Sequence, residues 1–196
     1  MKIKIIVLSH FLFDAKMREL MLNDNNVEDT NSAFISIIGT EECIKYWIKE
    51  DDRHYFKDHP NVLNLEFDDI GTHVSYNGHL FKTMVIEQAE QTLEFIERMI
   101  KEGKDTFYIH CKAGVSRSRA FGEFLYRYCK ENNIEVEYED RDWYRTMLNT
   151  SVLRKLMHAY WMKYKINQYA EGNFTEYAHD IINIPIKEIN RDDGKD

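Results

Sequence analysis

Short apolar blocks alternate with longer amphipathic ones along most of the chain. The short blocks are rich in β-branched and aromatic residues and predict strands at residues 2–8, 33–38, 62–67 and 106–109. The longer blocks repeat apolar residues at helical spacing and predict helices at 15–22, 83–101, 121–129 and 151–169, with a further helix from an N-cap at Thr40 to Ile48. Strands that alternate with helices are typical of a mainly parallel sheet that helices cover on both faces.

The composition supports one folded domain. Of the 196 residues, 43% are hydrophobic and 13% are aromatic, which suffices for a core and excludes a chain that is disordered throughout. No linker rich in proline, glycine or serine divides the chain, so we expect a single domain over residues 1–185 and a polar tail at 186–196. The net charge of −8 argues against a nucleic-acid partner, because an acidic surface repels a phosphate backbone.

The apolar runs and the cysteines bear on location. No run approaches the roughly 20 residues of a membrane-spanning helix, and the run at residues 3–8 is too short for a signal peptide. We therefore expect no membrane partner. The three cysteines, Cys43, Cys111 and Cys129, are too few for a disulfide framework and odd in number, which favours a reducing, cytoplasmic location.

The segment after the fourth predicted strand has the composition of an anion-binding loop. It reads His-Cys-Lys-Ala-Gly-Val-Ser-Arg-Ser over residues 110–118, and it leaves the carboxyl edge of the sheet, where ligands bind in parallel α/β folds. A loop this short before a helix turns successive backbone N–H groups inward. With the helix N-terminus, they would form a cradle the size of one phosphate, built from the backbone of Lys112, Ala113, Gly114, Val115 and Ser116.

Four residues give this loop its chemistry. Cys111 is the candidate nucleophile, because the positive field of the cradle favours the thiolate form. Arg117 presents a planar fork of donors that can bind two phosphate oxygens at once. Gly114 supplies the backbone freedom that the loop needs in order to curl, and Ser118 brings a hydroxyl close to the thiolate.

The same nine residues resemble the signature of the protein tyrosine phosphatases, His-Cys-x-x-Gly-x-x-Arg-Ser/Thr, and they meet every fixed position of it. Residues 33–38, 61–70 and 149–156 are similar to segments of the small bacterial and phage members. The resemblance implies a three-layer α/β/α fold with a mainly parallel sheet of four to five strands. It also implies hydrolysis through a cysteinyl-phosphate with no metal and no cofactor, and that His110 orients the loop through hydrogen bonds. A plain buried histidine is the alternative for His110.

The resemblance implies a phosphorylated protein or peptide as substrate, with phosphotyrosine first and dual specificity left open. A phosphoinositide or phospholipid is the alternative, because Lys112 directly after the cysteine is similar to lipid-directed members. Those members carry a second basic residue where this chain has Val115, and an anionic membrane repels an acidic chain. A silent phosphate-binding module is a third interpretation, against which the intact Cys111 and Arg117 argue.

The proposed chemistry also needs an acid that protonates the leaving oxygen. Asp68 and Asp69 follow the third predicted strand, so they leave the sheet at the same edge as Cys111. Members of the family carry their acid on this loop, often in a Phe-x-Asp or Asp-Asp context, and this resemblance favours Asp69. Asp68 is the alternative acid, or a residue that caps the turn.

The remaining candidates receive weaker roles. Lys112 and Arg119 are expected to add positive charge at the mouth of the loop. Cys129 lies along the helix that starts at Arg117, about 18 Å from the loop at about 1.5 Å per residue, which is too far for a disulfide with the loop thiol. The third cysteine stays open as a partner. The histidines at positions 10, 54, 73 and 79 are scattered in the sequence and show no metal-ligand spacing.

Overall fold

A computed structural model describes residues 1–40, 53–72, 74–76, 79–139 and 148–165. The described elements, in chain order, are β1 (Lys2–Ser9), α1 (His10–Glu19), β2 (Ser32–Ile38), β3 (Val62–Glu66), β4 (Val74–Tyr76), β5 (His79–Phe81), α2 (Ile86–Lys101), β6 (Thr106–Cys111), α3 (Arg117–Glu131), β7 (Glu135–Tyr138) and α4 (Thr150–Tyr164). A 3-10 turn at Val27–Asp29 lies between α1 and β2.

Five of the described strands form one sheet in the order β3-β2-β6-β1-β7, and every pairing within it is parallel. Strand β6 lies at the centre, with β1 and β2 on its two sides. The register places Ser9 opposite Cys111 and Ser36 opposite His110. Because the strands are parallel, the segments that follow β1, β2, β3 and β6 all leave the sheet at the same edge.

Helices cover both faces of the sheet, as the sequence pattern and the resemblance predict. Helix α1 packs on one face, where Phe13 and Met17 bury against Phe34 and Tyr108. Helices α2, α3 and α4 pack on the other face against residues that include Ile35 and alternate with the first set along the strands. The three-layer α/β/α architecture with a mainly parallel sheet is therefore confirmed.

The first helix differs from its predicted bounds of 15–22. It begins at His10, where the hydroxyl of Ser9 accepts a hydrogen bond from the backbone N–H of Leu12 at 3.2 Å. The hydrophobic pattern does not predict this early start, because Phe11 and Leu12 are apolar yet exposed and the first turn therefore lacks a polar outer face. The helix ends at Glu19, before Met21 adopts a positive φ of 55°.

Three short strands lie outside the predicted elements. Strands β4 and β5 form an antiparallel pair, with Val74 opposite Phe81, in a stretch that the pattern left as a loop. The Asn77-Gly78 pair between them is the sequence signal that favours such a hairpin. Strand β7 adds to the open edge of β1; it is four residues long and carries two glutamates, so its apolar pattern is weak.

The other predicted bounds are close to the observed ones. Helix α3 starts four residues before the predicted 121, and α4 starts one residue before the predicted 151 and ends at Tyr164, whereas residues 166–169 of its predicted range lie outside the described residues. The helix expected after Thr40, Cys43, His73 and the boundary at 185 lie outside the described residues. In the part of the chain that the structure describes, no helix has both the length and the apolar character needed to cross a bilayer.

Candidate active site

The candidate nucleophile lies at the end of the central strand. Cys111 is the last residue of β6 and is 2% exposed. The loop then runs to Arg117, the first residue of α3. The Sγ atom of Cys111 lies 3.1 Å from the Oγ atom of Ser118, which is fully buried. When the sulfur is a thiolate, the serine hydroxyl is the donor of this pair.

Gly114 brings the loop into direct contact with the end of β1. Its φ is +75°, and a Cβ atom placed on it would lie 2.5 Å from the backbone nitrogen of Ser9 and 2.6 Å from the carbonyl carbon of Leu8. Both the backbone conformation and the space exclude a side chain. The glycine is therefore a requirement of this loop and not only a source of freedom.

Two carbonyl groups of the loop accept hydrogen bonds from residues outside it. The backbone N–H of His10 donates to the carbonyl of Lys112 at 3.2 Å, and Nε of Arg119 donates to the carbonyl of Gly114 at 3.1 Å. In a trans peptide the C=O and the following N–H point in opposite directions. The N–H groups of Ala113 and Val115 are therefore directed to the opposite side from those two bonds, which is the arrangement of an anion cradle.

Arg119 has a different place from the one expected at the mouth of the loop. Its side chain is 7% exposed, and its bond to Gly114 supports the loop from within the fold. Lys112 is half-buried. Arg119 therefore shapes the cradle and does not meet solvent at its entrance.

Arg117 is buried at the start of α3. It is 5% exposed, and its Nη1 donates to the carbonyl of Phe67 at 2.7 Å, which ties the guanidinium to the end of β3. Its Nε has no hydrogen-bond partner within the described residues. A buried charged N–H without a partner is costly, and an oxyanion is the acceptor that suits it.

His110 lies under the loop and packs as an apolar ring. It is fully buried, with its ring centre 4.1 Å from that of Phe13 and 5.4 Å from that of His10. Neither ring nitrogen has a hydrogen-bond partner among the residues described, so the hydrogen bonds implied by the resemblance are not seen there. Burial, and then the nearby His10, His54 and Arg117, hold the pKa of His110 well below its usual value, so the ring is neutral.

The histidines are thus less scattered than their sequence positions suggest. His10 lies beside His110, and Nδ1 of His54 lies 2.7 Å from the hydroxyl of Ser36, the residue that pairs with His110 across β2 and β6. Within the described residues, no group of three or more histidine, cysteine, aspartate or glutamate side chains could hold a metal ion.

Asp68 is buried and its carboxylate is fully engaged. It is 1% exposed and accepts the backbone N–H of Thr40 at 2.9 Å, the Thr40 hydroxyl at 2.8 Å and the backbone N–H of Lys82 at 2.7 Å. These bonds connect the segments that follow β2, β3 and β5. Asp68 therefore has the structural role that the sequence analysis left open for one aspartate.

Asp69 is exposed and contacts the loop. Its Oδ1 accepts a hydrogen bond from the hydroxyl of Ser116 at 2.7 Å and another from the side-chain amide of Asn149 at 2.8 Å. The first of these donors lies in the loop between Cys111 and Arg117, so the structure brings Asp69 and that loop together. Asn149 is not among the predicted site residues; its sequence signals are its place before a predicted helix and the resemblance of residues 149–156 to a family segment.

The second described cysteine is separate from this site. Cys129 lies on α3 and is fully buried among apolar side chains. Burial raises the pKa of its thiol to about 12, so it stays protonated and unreactive. This agrees with its exclusion as a redox partner, whereas Cys43 lies outside the described residues.

Comparisons with known proteins find a remote structural similarity and no family. No family model matches the chain, and no curated protein matches it. Among solved structures, the chain is similar to human tyrosine phosphatase-like serine/threonine/tyrosine-interacting protein, with 20% identity and a TM-score of 0.37. The match covers 67% of this chain and 78% of that one. This similarity is remote and by itself assigns no function.

The contact between Gly114 and β1 predicts that Gly114→Ala destroys anion binding. The added Cβ would push the loop off the backbone of Leu8 and Ser9, so the shift in melting temperature caused by inorganic phosphate should disappear. Gly71→Ala is the matched control, because a Cβ at Gly71 meets no atom within 4 Å. A Gly114→Ala protein that binds phosphate as tightly as the Gly71→Ala protein would contradict this role.

Proposed function

We propose that this protein hydrolyses phosphate monoesters through a cysteinyl-phosphate on Cys111, with phosphotyrosine in a protein or peptide as its substrate. The observation that carries the proposal is the position of Cys111. Its thiol lies at the end of the central strand, inside a loop whose carbonyls are bonded outward and next to the N-terminus of α3. Backbone amides, a helix N-terminus and Arg117 then surround one anion-sized position.

The first step transfers the phosphoryl group to sulfur. The amides of residues 112–117 and the guanidinium of Arg117 hold the three non-bridging oxygens and stabilise their charge in the transition state. The thiolate of Cys111 attacks phosphorus and forms the S–P bond while the P–O bond to the leaving group breaks. Asp69, protonated at this stage, gives its proton to the departing oxygen.

The second step returns the enzyme to its starting state. Asp69, now a carboxylate, takes a proton from a water molecule as that water attacks phosphorus. The S–P bond breaks, inorganic phosphate forms, and Cys111 leaves as a thiolate. The hydroxyl of Ser118, 3.1 Å from the sulfur, can donate to that thiolate and makes it a better leaving group.

Asp69 suits the acid role better than Asp68 for a physical reason. An acid must expose one oxygen to the substrate, and both oxygens of Asp68 are bonded inside the fold. The described bonds of Asp69 are both on Oδ1, and its side chain is exposed beside the loop.

An aromatic phosphate ester is favoured over a lipid headgroup. The chain carries a net charge of −8, which opposes binding to an anionic membrane. Phe11, 77% exposed, lies in the first turn of α1, directly after the residue that bonds to the loop at Lys112. We propose that this exposed aromatic side chain contributes to binding a peptide substrate.

Three substrates and two variants test the proposal. We expect the protein to hydrolyse a phosphotyrosine peptide faster than a phosphothreonine peptide or a phosphoinositide, measured as released phosphate. Cys111→Ser should abolish turnover of all three and keep phosphate binding, whereas Arg117→Lys should lose most of both. Turnover by Cys111→Ser would contradict the mechanism, and a preference for the phosphoinositide would favour the lipid alternative.

Substitution of the two aspartates should affect different properties, turnover in Asp69→Asn and stability in Asp68→Asn. Asp69→Asn removes the proton donor, so turnover of phenyl phosphate should fall by about 100- to 10,000-fold with the melting temperature nearly unchanged. Asp68→Asn turns an amide toward donors that the carboxylate now accepts, so it should lower the free energy of unfolding by about 1–3 kcal/mol. Loss of the acid limb of the pH–rate profile in Asp68→Asn, with the limb intact in Asp69→Asn, would reverse the assignment.

A further inference from the structure

Two elements far apart in sequence hold the same oxygen of Asp69. Ser116 belongs to the phosphate loop and Asn149 to the start of α4, and both donate to Oδ1 at 2.7 and 2.8 Å. Asn149 lies 80 residues from Asp69 along the chain. The two donors therefore connect the loop after β6 and the start of α4 at one oxygen of Asp69.

The side chain of Asn149 has little freedom of its own. It is the N-cap of α4, where its Oδ1 accepts the backbone N–H of Val152 at 3.1 Å. Its backbone N–H donates to the carbonyl of Ser116 at 3.2 Å. Because the oxygen of the amide is used by the helix, the nitrogen is the atom that faces Asp69.

The helix that carries Asn149 is itself fixed. Val152, Leu153 and Leu156 are fully buried against the core. One residue into the helix, the hydroxyl of Ser151 donates to the carbonyl of Gly71 at 2.8 Å, which fastens α4 to the loop that carries Asp69. The amide of Asn149 is therefore presented from a rigid element, as a precisely placed donor requires.

We infer that Asn149 is a positioning residue, which holds Asp69 by Oδ1 so that Oδ2 carries the proton exchanged with the leaving group and with water. This inference rests on the proposed function. A neutral carboxyl group has one carbonyl oxygen and one hydroxyl. Two donors on Oδ1 favour the carbonyl form there, so the proton lies on Oδ2 in the first step and returns to Oδ2 in the second.

The bonds to Oδ1 should hold the carboxyl group of Asp69 in one orientation relative to the leaving oxygen. An exposed aspartate without such bonds samples several rotamers, and only some of them point a proton at the leaving oxygen. With Oδ1 anchored to both the phosphate loop and α4, Asp69 keeps a constant position relative to the bound phosphate. The gain in kcat/KM should be largest for esters whose leaving group needs protonation most.

Asn149→Asp removes this contact, and because it also places a second carboxyl group beside Asp69, the uncharged Asn149→Ser is measured with it. Aspartate is as good an N-cap as asparagine, so the bond from Val152 is kept, but it has no N–H to give to Asp69. We expect the ratio of kcat/KM on phenyl phosphate to kcat/KM on 2,4-dinitrophenyl phosphate to fall by about 10- to 100-fold, because the nitrophenolate departs with little help from an acid.

Two controls separate positioning from general damage. Lys163→Ala removes a bond from the far end of α4 to Glu97 on α2, without touching Asp69 or the loop that carries it, so it should leave the substrate ratio unchanged. In an Asp69→Asn background, Asn149→Asp should have no further effect on the ratio, because the proton donor is already absent. Asn149→Ser also caps a helix, cannot reach Asp69 and adds no charge, so it should give the same fall in the ratio as Asn149→Asp.

The outcomes are distinct. An equal loss on both substrates, or effects of Asn149→Asp and Asp69→Asn that multiply, would overturn the positioning role while the hydrolysis itself stands. A wild-type protein that hydrolyses neither ester would instead overturn the proposed function, and the inference with it.

Discussion

The close approach of Gly114 to the end of β1 is the constraint on which the candidate site depends. The parallel register sets Ser9 opposite Cys111, and the loop that follows Cys111 folds back until Gly114 touches the backbone of Leu8 and Ser9. That contact is open only to a residue without a Cβ. It draws the loop into a tight curve, and the curve makes it possible for several amides to meet one anion.

The surrounding residues hold this curve in place. His10 and Arg119 bond to carbonyls on the outside of the loop, and Arg117 is tied to Phe67 at the end of β3. Asp68 connects the ends of three strands without taking part in the chemistry that we propose. A polar network of this kind is stable only when its members are bonded, so the fold and the site depend on each other.

The sequence predicted those elements whose hydrophobic pattern is complete within one short segment of the chain. Strands β2 and β6 are buried on both faces, so the sequence shows them as continuous apolar runs. Strand β7 lies at an edge of the described sheet and has no such run. The early start of α1 was missed because Phe11 and Leu12 are apolar but exposed. Burial, unlike hydropathy, depends on the rest of the fold.

The different hydrogen-bond partners of the two aspartates could not be predicted, because the two residues are adjacent in the sequence. Asp68 turns inward to Thr40 and Lys82, whereas Asp69 turns outward to Ser116 and Asn149. These partners come from distant segments, which only the folded chain brings together. The same is true of Arg119, whose charge looks available in the sequence but is buried against the loop.

The most direct test of the central claim is to trap the phosphorylated enzyme. The protein is mixed with a phosphotyrosine peptide, quenched in denaturant within the first turnover, digested and analysed by mass spectrometry. We predict one phosphoryl group on the peptide that contains Cys111, and none on that peptide in Cys111→Ser. Phosphate release in the first turnover with no phosphoryl group on Cys111 at any time, or with one on another residue, would contradict the cysteinyl-phosphate mechanism.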